Sequence, residues 1–371
     1  MTLTTAEKIP ASSNRLVSLD FMRGLIMVFL ALESTGLYEH LAKASGDSFF
    51  NSFMQQFFHH PWNGLRFWDL IQPGFMFIAG TAMALSLEKQ RLKGISWEHS
   101  LKKVFKRSLL LFFFGVLDYA VQRDGSLSFE LWDVLTQLSF TTLVTFLIFR
   151  WSYIAQTIFC IFLLLLTEAL YRFTNVPGFN QPFVDQHNFG NFMDLILMNK
   201  INSGGWVAIN CIPTAVHTIA GAMAGKILLQ TRKVKWLLIW GVITLAAGFL
   251  LDIIHITPII KRIATTSFTL ASLGWCLLAL ALIYWWIDIK DHKKKLAFFT
   301  IVGMNSLFIY LFFEIVGSRW FNEYVGDITN GLMGFMSIPE MLRLIITSLT
   351  IFALEWYMCY FLYRKKVFFK L

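Results

Sequence analysis

The chain has little of what holds a soluble or secreted protein together. Its 371 residues include four cysteines, Cys160, Cys211, Cys276 and Cys359. Each lies inside an apolar run and none has metal-type spacing, so neither a disulfide framework nor a zinc site is expected. No hydrophilic stretch is large enough for an independent domain; the longest lie near residues 39–66, 173–204 and 317–340. The first fifteen residues are polar and lack an apolar stretch ending in a small-residue cleavage site, so no removable signal peptide is expected. No low-complexity segment occurs, and no internal repeat is strong enough to suggest a transporter's inverted symmetry.

What is present is apolar. Hydrophobic residues make up 56% of the chain and aromatic residues 16%, with 38 Phe and 13 Trp, and the mean hydropathy is +0.58. That composition lies outside the range of ordinary soluble domains and makes lipid the solvent for most of the surface. Trp132, Trp151, Trp236, Trp285 and Trp286 sit at the ends of apolar runs, where membrane interfaces place them. Ten runs are long enough, with their flanks, to cross about 30 Å of hydrocarbon. They lie near residues 25–37, 70–87, 109–121, 131–149, 153–171, 206–229, 236–254, 268–287, 296–316 and 342–362. The expected fold is therefore all-α: one polytopic transmembrane domain over 1–371, with about ten helices and a polar cytoplasmic tail at 1–15.

The net charge of +9 invites a nucleic-acid reading, but the basic residues fall in short loops rather than on one soluble face. With the N-terminus inside, 23 of the 32 Lys and Arg residues lie in inner segments and nine in outer ones. This bias puts both chain ends on the cytoplasmic side.

Ionisable residues within spanning helices are costly, about 2.5–3.5 kcal/mol each on insertion scales, so each invites a functional hypothesis. Counting about 1.5 Å per residue puts Glu33 towards the outer leaflet, with Asp69, Asp118, Asp133, Asp252 and Glu314 also in the outer half. Facing one cavity, they would form an acidic vestibule for a cationic or hydroxyl-rich substrate such as an amino sugar. Taken singly, each is equally an interfacial residue hydrated at a helix end. His217 reads as a packed polar residue bonding a neighbouring helix. Asp252 and His255, three apart, suit a local hydrogen bond; with no further ligands nearby, no metal is expected.

Three stretches carry a family likeness. The first helix opens Arg15-Leu16-Val17-Ser18-Leu19-Asp20-Phe21-Met22-Arg23-Gly24, and His59-His60-Pro61-Trp62-Asn63-Gly64-Leu65 precedes Asp69-Leu70-Ile71-Gln72-Pro73-Gly74-Phe75. This order resembles the transmembrane acetyltransferase family of heparan-α-glucosaminide N-acetyltransferase. Weaker echoes are Ile212-Pro213-Thr214-Ala215, Gly221-Ala222-Met223-Ala224-Gly225, Thr257-Pro258-Ile259 and Gly303-Met304-Asn305-Ser306-Leu307.

The resemblance implies a catalytic histidine three residues before the tryptophan, hence His59 rather than His60. It implies acetyl-CoA as a donor bound from the cytoplasm, a small sugar acceptor on the far side, and a homodimer; no nucleic-acid partner is expected. Where the family has an asparagine in the first helix this chain has Glu33-Ser34, which would put a carboxylate beside the imidazole. The absence of the lysosomal protein's signal and luminal domain suggests a multi-pass protein of a bacterial inner membrane.

On that reading His59 removes a proton from the acceptor or itself takes the acetyl group, and Asp69 holds its other nitrogen. Asn305 offers an amide to the oxyanion, a role worth about 2.7–4 kcal/mol, with interhelical packing as its alternative. Arg23, oriented by Asp20, joins Lys102, Lys103, Lys106 and Arg107 as cations for the donor's phosphates; a basic loop that only sets orientation explains the same lysines. Trp62 and Asn63 shape the acceptor site, with Asp133, Asp252 and Glu314 around it. Two other readings stay open: O-acetylation of an envelope sugar, and an ion-coupled sugar transporter.

Overall fold

A computed structural model describes residues 16–120, 126–231 and 233–369; the expected polar tail at 1–15 lies outside them. The chain is 76% helical and contains no strand among the described residues. Helix α1 (Val17–Ser34) leads into two short helices, α2 (Leu37–Ser45) and α3 (Phe49–Met54). A 3-10 turn at Phe67–Leu70 then enters α4 (Ile71–Leu92), followed by α5 (Trp97–Ala120), α6 (Val134–Ile148), α7 (Tyr153–Phe173) and the short α8 (Phe189–Met198). Next come α9 (Cys211–Thr231), α10 (Val234–Ile253) and α11 (Thr266–Tyr284), then a broken segment, α12 (Ala297–Met304) and α13 (Ser306–Leu311). A π-helical stretch, Phe312–Phe321, continues into α14 (Asn322–Phe335), and α15 (Glu340–Arg364) closes the chain.

Every apolar run of the sequence falls on helix. Among the described residues six helices are long and apolar enough to cross a membrane, Phe67–Leu92, Tyr153–Phe173, Ala208–Thr231, Val234–Ile253, Thr266–Ile289 and Glu340–Arg364. The pair Ala297–Met304 and Ser306–Phe335, bent by 75°, makes a seventh if it is one span. The other three runs lie on α1 and α5, which carry several charges, and on α6, only 15 residues long. Only 17% of the most apolar window of α10 is buried, and 28% of those of α7 and α15. Apolar helices left so bare in a polytopic chain face lipid. The protein is an all-α polytopic membrane protein.

The bundle interior is built on close backbone approach, as expected where both solvent and core are apolar and packing rather than hydrophobicity drives association. A Cβ at Gly80 would lie 1.9 Å from the Thr218 carbonyl oxygen, and one at Gly221 would lie 2.0 Å from that of Phe77. Helices α4 and α9 therefore cross in direct contact. Gly24 and Gly303 do the same for α1 and α12, where a Cβ on Gly24 would lie 1.9 Å from the Phe299 carbonyl oxygen. Two of the motifs that carry the family likeness, around Gly221 and Gly303, thus have a packing reason. His217 on α9 bonds Ser272 of α11 at 2.8 Å, the interhelical role its sequence context suggested.

Loops that the charge count assigns to the same side meet one another. At one end the Val17 and Ser18 amides donate to Asp288 (3.2 and 3.1 Å), and Arg150 lies 4.2 Å over the Trp97 ring. At the other end Trp62 Nε1 donates to the Phe183 carbonyl (2.8 Å), Lys200 pairs with Glu130 (2.8 Å), and Arg172 reaches the Ile256 carbonyl.

Candidate active site

The loop between α3 and α4 is folded by one carboxylate. Asp69, 1% exposed, stands in the 3-10 turn that begins the α4 span. Its Oδ2 accepts the backbone amides of Arg66 (2.9 Å) and His60 (3.3 Å), and its Oδ1 lies 3.0 Å from His59 Nδ1. Arg66 closes the loop by donating from Nη1 to the His59 carbonyl at 3.2 Å. A Cβ at Gly64, whose φ is +149°, would lie 2.5 Å from His60 Nε2; only glycine lets the chain turn over that ring. Beyond this turn Gly64 donates to the Ile259 carbonyl (2.8 Å) and Asn63 forms a bridge with Ile260. The histidine loop is thereby fastened to the loop between α10 and α11.

That fastening brings in Lys261. Its Nζ lies 3.0 Å from His59 Nδ1, 3.9 Å from Asp69 Oδ1 and 5.1 Å from the centre of the Trp206 ring, and the residue is 7% exposed. Trp206 also meets the imidazole edge-on, with ring centres 5.4 Å apart. The loop is held by Thr265 Oγ1, which donates to the Pro258 carbonyl (2.7 Å), and by Asp252, whose carboxylate accepts the Ile259 amide (2.9 Å).

Nδ1 of His59 thus stands between an ammonium and a carboxylate with room for one proton. Asp69 already accepts two backbone amides; in the tautomer that donates from Nδ1 to this carboxylate the lone pair is left on Nε2, and in the other Nδ1 accepts from the Lys261 ammonium. Nε2 has no hydrogen bond to the described residues. Burial and then the charge of Lys261 bring the imidazole down to about 4, against the opposing pull of Asp69. Burial likewise brings Lys261 down to about 8, with Asp69 and Glu33 drawing it upward. At neutral pH the ring is neutral and able to take a proton, beside a largely charged amine.

Two cavities, outer and inner on the orientation expected from the charge count, share part of their walls near this group. The outer one, about 190 Å³, is lined by His59, Lys261, Trp206, Trp68, Gln72, Phe75, Trp132, Tyr310 and Glu314 among others. The inner one, about 300 Å³, is lined by Arg23, Arg107, Phe75, Met304, Tyr310 and Phe369 among others. Phe75 and Tyr310 belong to both walls.

Of the residues singled out in the sequence, His59 and Glu314 line the outer cavity and Asp69 backs His59. Glu33 is exposed on α1, outside the cavity wall but within electrostatic reach of Lys261. Arg23, 3.7 Å from Asp20, and Arg107 line the inner cavity. Arg107 Nε is buried with no hydrogen-bond partner among the described residues, a donor that a phosphate oxygen would satisfy. Lys102 pairs with Glu98 (3.3 Å) and, like Lys103 and Lys106, is exposed and away from the lining.

The expected acidic vestibule is gathered in part: Glu33, Asp118 and Asp133 lie within electrostatic reach of Glu314, but of the six acids only Glu314 lines the cavity. Asp133 caps α6, accepting the Leu135 amide (2.6 Å) and the Tyr310 hydroxyl (2.8 Å). Asp252 braces the α10–α11 loop, Trp62 is tied to Phe183, and exposed Asn63 meets Ile260 through its backbone. The Asn305 amide is engaged at the helix break, where Nδ2 donates to the Val367 carbonyl (3.2 Å) and Oδ1 accepts the Phe369 amide (3.1 Å). Lys261, Trp206, Phe75 and Tyr310 were missed. The signal for Lys261 was its place three residues after Pro258, in a stretch already carrying the family likeness.

No family model matches the chain. It is similar to the heparan-alpha-glucosaminide N-acetyltransferases of Mus musculus and Homo sapiens, 24% identical to each over 97% and 98% of its length. The chain spans 61% of the length of these curated relatives. This distant likeness covers nearly the whole chain and is consistent with a relative of that family.

Proposed function

We propose that the protein is a membrane acetyltransferase. It takes acetyl-CoA from the cytoplasmic side and acetylates an amino sugar or glucosaminide on the periplasmic side of a bacterial inner membrane, through a ten-helix domain with both ends inside. The observation that carries this reading is the His59–Asp69–Lys261 group in a cavity abutting a second cavity lined by Arg23 and Arg107.

Arg23 and Arg107 suit the anionic end of the donor, where guanidinium groups hold phosphate oxygens through paired donors. The donor supplies an acetyl group activated as a thioester. In the outer cavity Glu314 offers a carboxyl group to the neutral amine of the acceptor, and Trp206 and Trp132 offer flat faces to a sugar ring. His59 Nε2 takes the proton from the attacking nitrogen while Asp69 supports the imidazolium, an arrangement in which acid–base catalysis contributes about 10²–10⁴-fold. That proton is then available to the departing thiolate, so the imidazole ends neutral.

The test is transfer in proteoliposomes holding labelled acetyl-CoA only in the compartment that matches the cytoplasm. Acetylated glucosamine should appear on the opposite face with release of CoA. Labelled sugar crossing unmodified, without CoA release, would assign the protein to transport instead. An acceptor with a blocked amine separates N- from O-acetylation.

A further inference from the structure

The two cavities share part of their walls. Phe75 on α4 and Tyr310 on α13 are the residues common to both linings, so these two rings stand between the arginine-lined side and the side that holds the imidazole. Tyr310 is 6% exposed and is fixed at both ends of its side chain. Its ring packs edge-on against Phe313 with centres 5.4 Å apart, and its hydroxyl donates to Asp133 Oδ2 at 2.8 Å.

Asp133 cannot follow the tyrosine, because its other oxygen accepts the Leu135 amide at the start of α6. The same stretch is tied across to α4 by Gln72 Nε2, which donates to Gln137 Oε1 at 2.5 Å one turn before Phe75. The element carrying Tyr310 is different in kind. It is a short piece of helix between the break at Asn305 and the π-helical stretch Phe312–Phe321, the type of irregularity that recurs at functional sites.

We propose that Phe75 and Tyr310 form the constriction that sets the size of the acyl group the enzyme transfers, with Asp133 as the positioning residue that holds Tyr310 across the passage. The inference rests on the acyltransferase reading above. Two aromatic faces suit a slender, uncharged thioester arm with a small acyl end and oppose ions and bulky chains. The outer cavity, at about 190 Å³, must hold the acyl group together with the reacting edge of the acceptor, and removing either ring enlarges it on the side shared with the arginine-lined cavity.

The full chain in proteoliposomes, given acetyl-, butanoyl- and hexanoyl-CoA with one acceptor, tests this. Wild type should transfer acetyl in clear preference to hexanoyl. Phe75→Ala and Tyr310→Ala should each raise the hexanoyl-to-acetyl ratio of kcat/KM at least tenfold. Tyr310→Phe, which loses only the hydroxyl, should move the ratio the same way by a smaller factor, and Asp133→Ala should match it. Asp133→Asn, which keeps an acceptor and a helix cap, should restore the wild-type ratio.

Because the readout is a ratio within one preparation, a general loss of folded protein does not move it; Phe75→Leu serves if the alanine variant cannot be prepared. If wild type transfers acetyl but the ratio stays within twofold in Phe75→Ala and Tyr310→Ala, the constriction is refuted and the acyltransferase reading stands. If wild type transfers no acyl group at all, that broader reading fails and takes the constriction with it.

Discussion

At the scale of single residues, the chemistry depends on which nitrogen of His59 carries the proton. Asp69 and Lys261 compete for Nδ1 from 3.0 Å each, and the buried amine keeps the ring from charging. His59→Ala should lower transfer by at least about 10³-fold, within the range for removing a positioned base. His60→Ala should leave most of it, since that ring packs over Gly64 and only its backbone amide reaches Asp69. Equal transfer in both variants would remove the histidine from the mechanism.

Lys261→Met should raise the His59 pKa from about 4, because it removes a positive charge that opposes Asp69, while burial and Arg262 still hold the ring below the ordinary imidazole range. The sign follows directly. A ring that is neutral above about pH 4 in wild type stays protonated to a higher pH in the variant, and the protonated fraction can no longer accept a proton. NMR titration of labelled histidine should show the shift, and inactivation by a histidine acylating reagent should slow at pH 5.5 in the variant relative to wild type. An unshifted titration would mean that Lys261 does not set the state of the ring.

At the scale of elements, the active-site loops stand on helix crossings that admit no side chain. Gly221→Val inserts atoms where a Cβ alone would lie 2.0 Å from a backbone oxygen. The α4–α9 crossing should then be forced apart at a cost of about 1–3 kcal/mol or more, read as a lower melting temperature in detergent. Gly331→Ala on α14 is the contrast. Nothing lies within 4 Å of its Cβ position, and relief of backbone entropy should leave stability unchanged or higher by about 0.5–1 kcal/mol. The broken segment differs again: Asn305 spends its amide on the backbone at Val367 and Phe369, so the helix break is braced by the end of the described chain.

At the scale of the molecule, the proposed direction of transfer requires the arginine-lined cavity to open towards the cytoplasm and the histidine-lined cavity towards the other side. Single cysteines at Lys103 and Asn63, both exposed, should report this with a membrane-impermeant maleimide. In intact cells with a permeabilised outer membrane, Asn63→Cys should label and Lys103→Cys should label only after lysis. The opposite pattern would reverse the orientation drawn from the 23 inner and nine outer basic residues.

The sequence alone determined what depends on local pattern. Apolar run length specified helices in lipid, and the ten-residue spacing from His59 to Asp69 was short enough for one loop to bring them together. The glycine-bearing motifs stood out only as echoes of a family; their packing role became plain only with both partners in view. The tertiary structure decided everything that joins distant segments. Lys261 reaches His59 across 202 positions of chain, and Asp133, read as a substrate group, is bound by Tyr310, a cavity-lining residue 177 positions away. Helical periodicity states which face of a helix is apolar but not which helix it meets, so the partners of each buried charge, and the two cavities that share Phe75 and Tyr310, exist only once the bundle is packed.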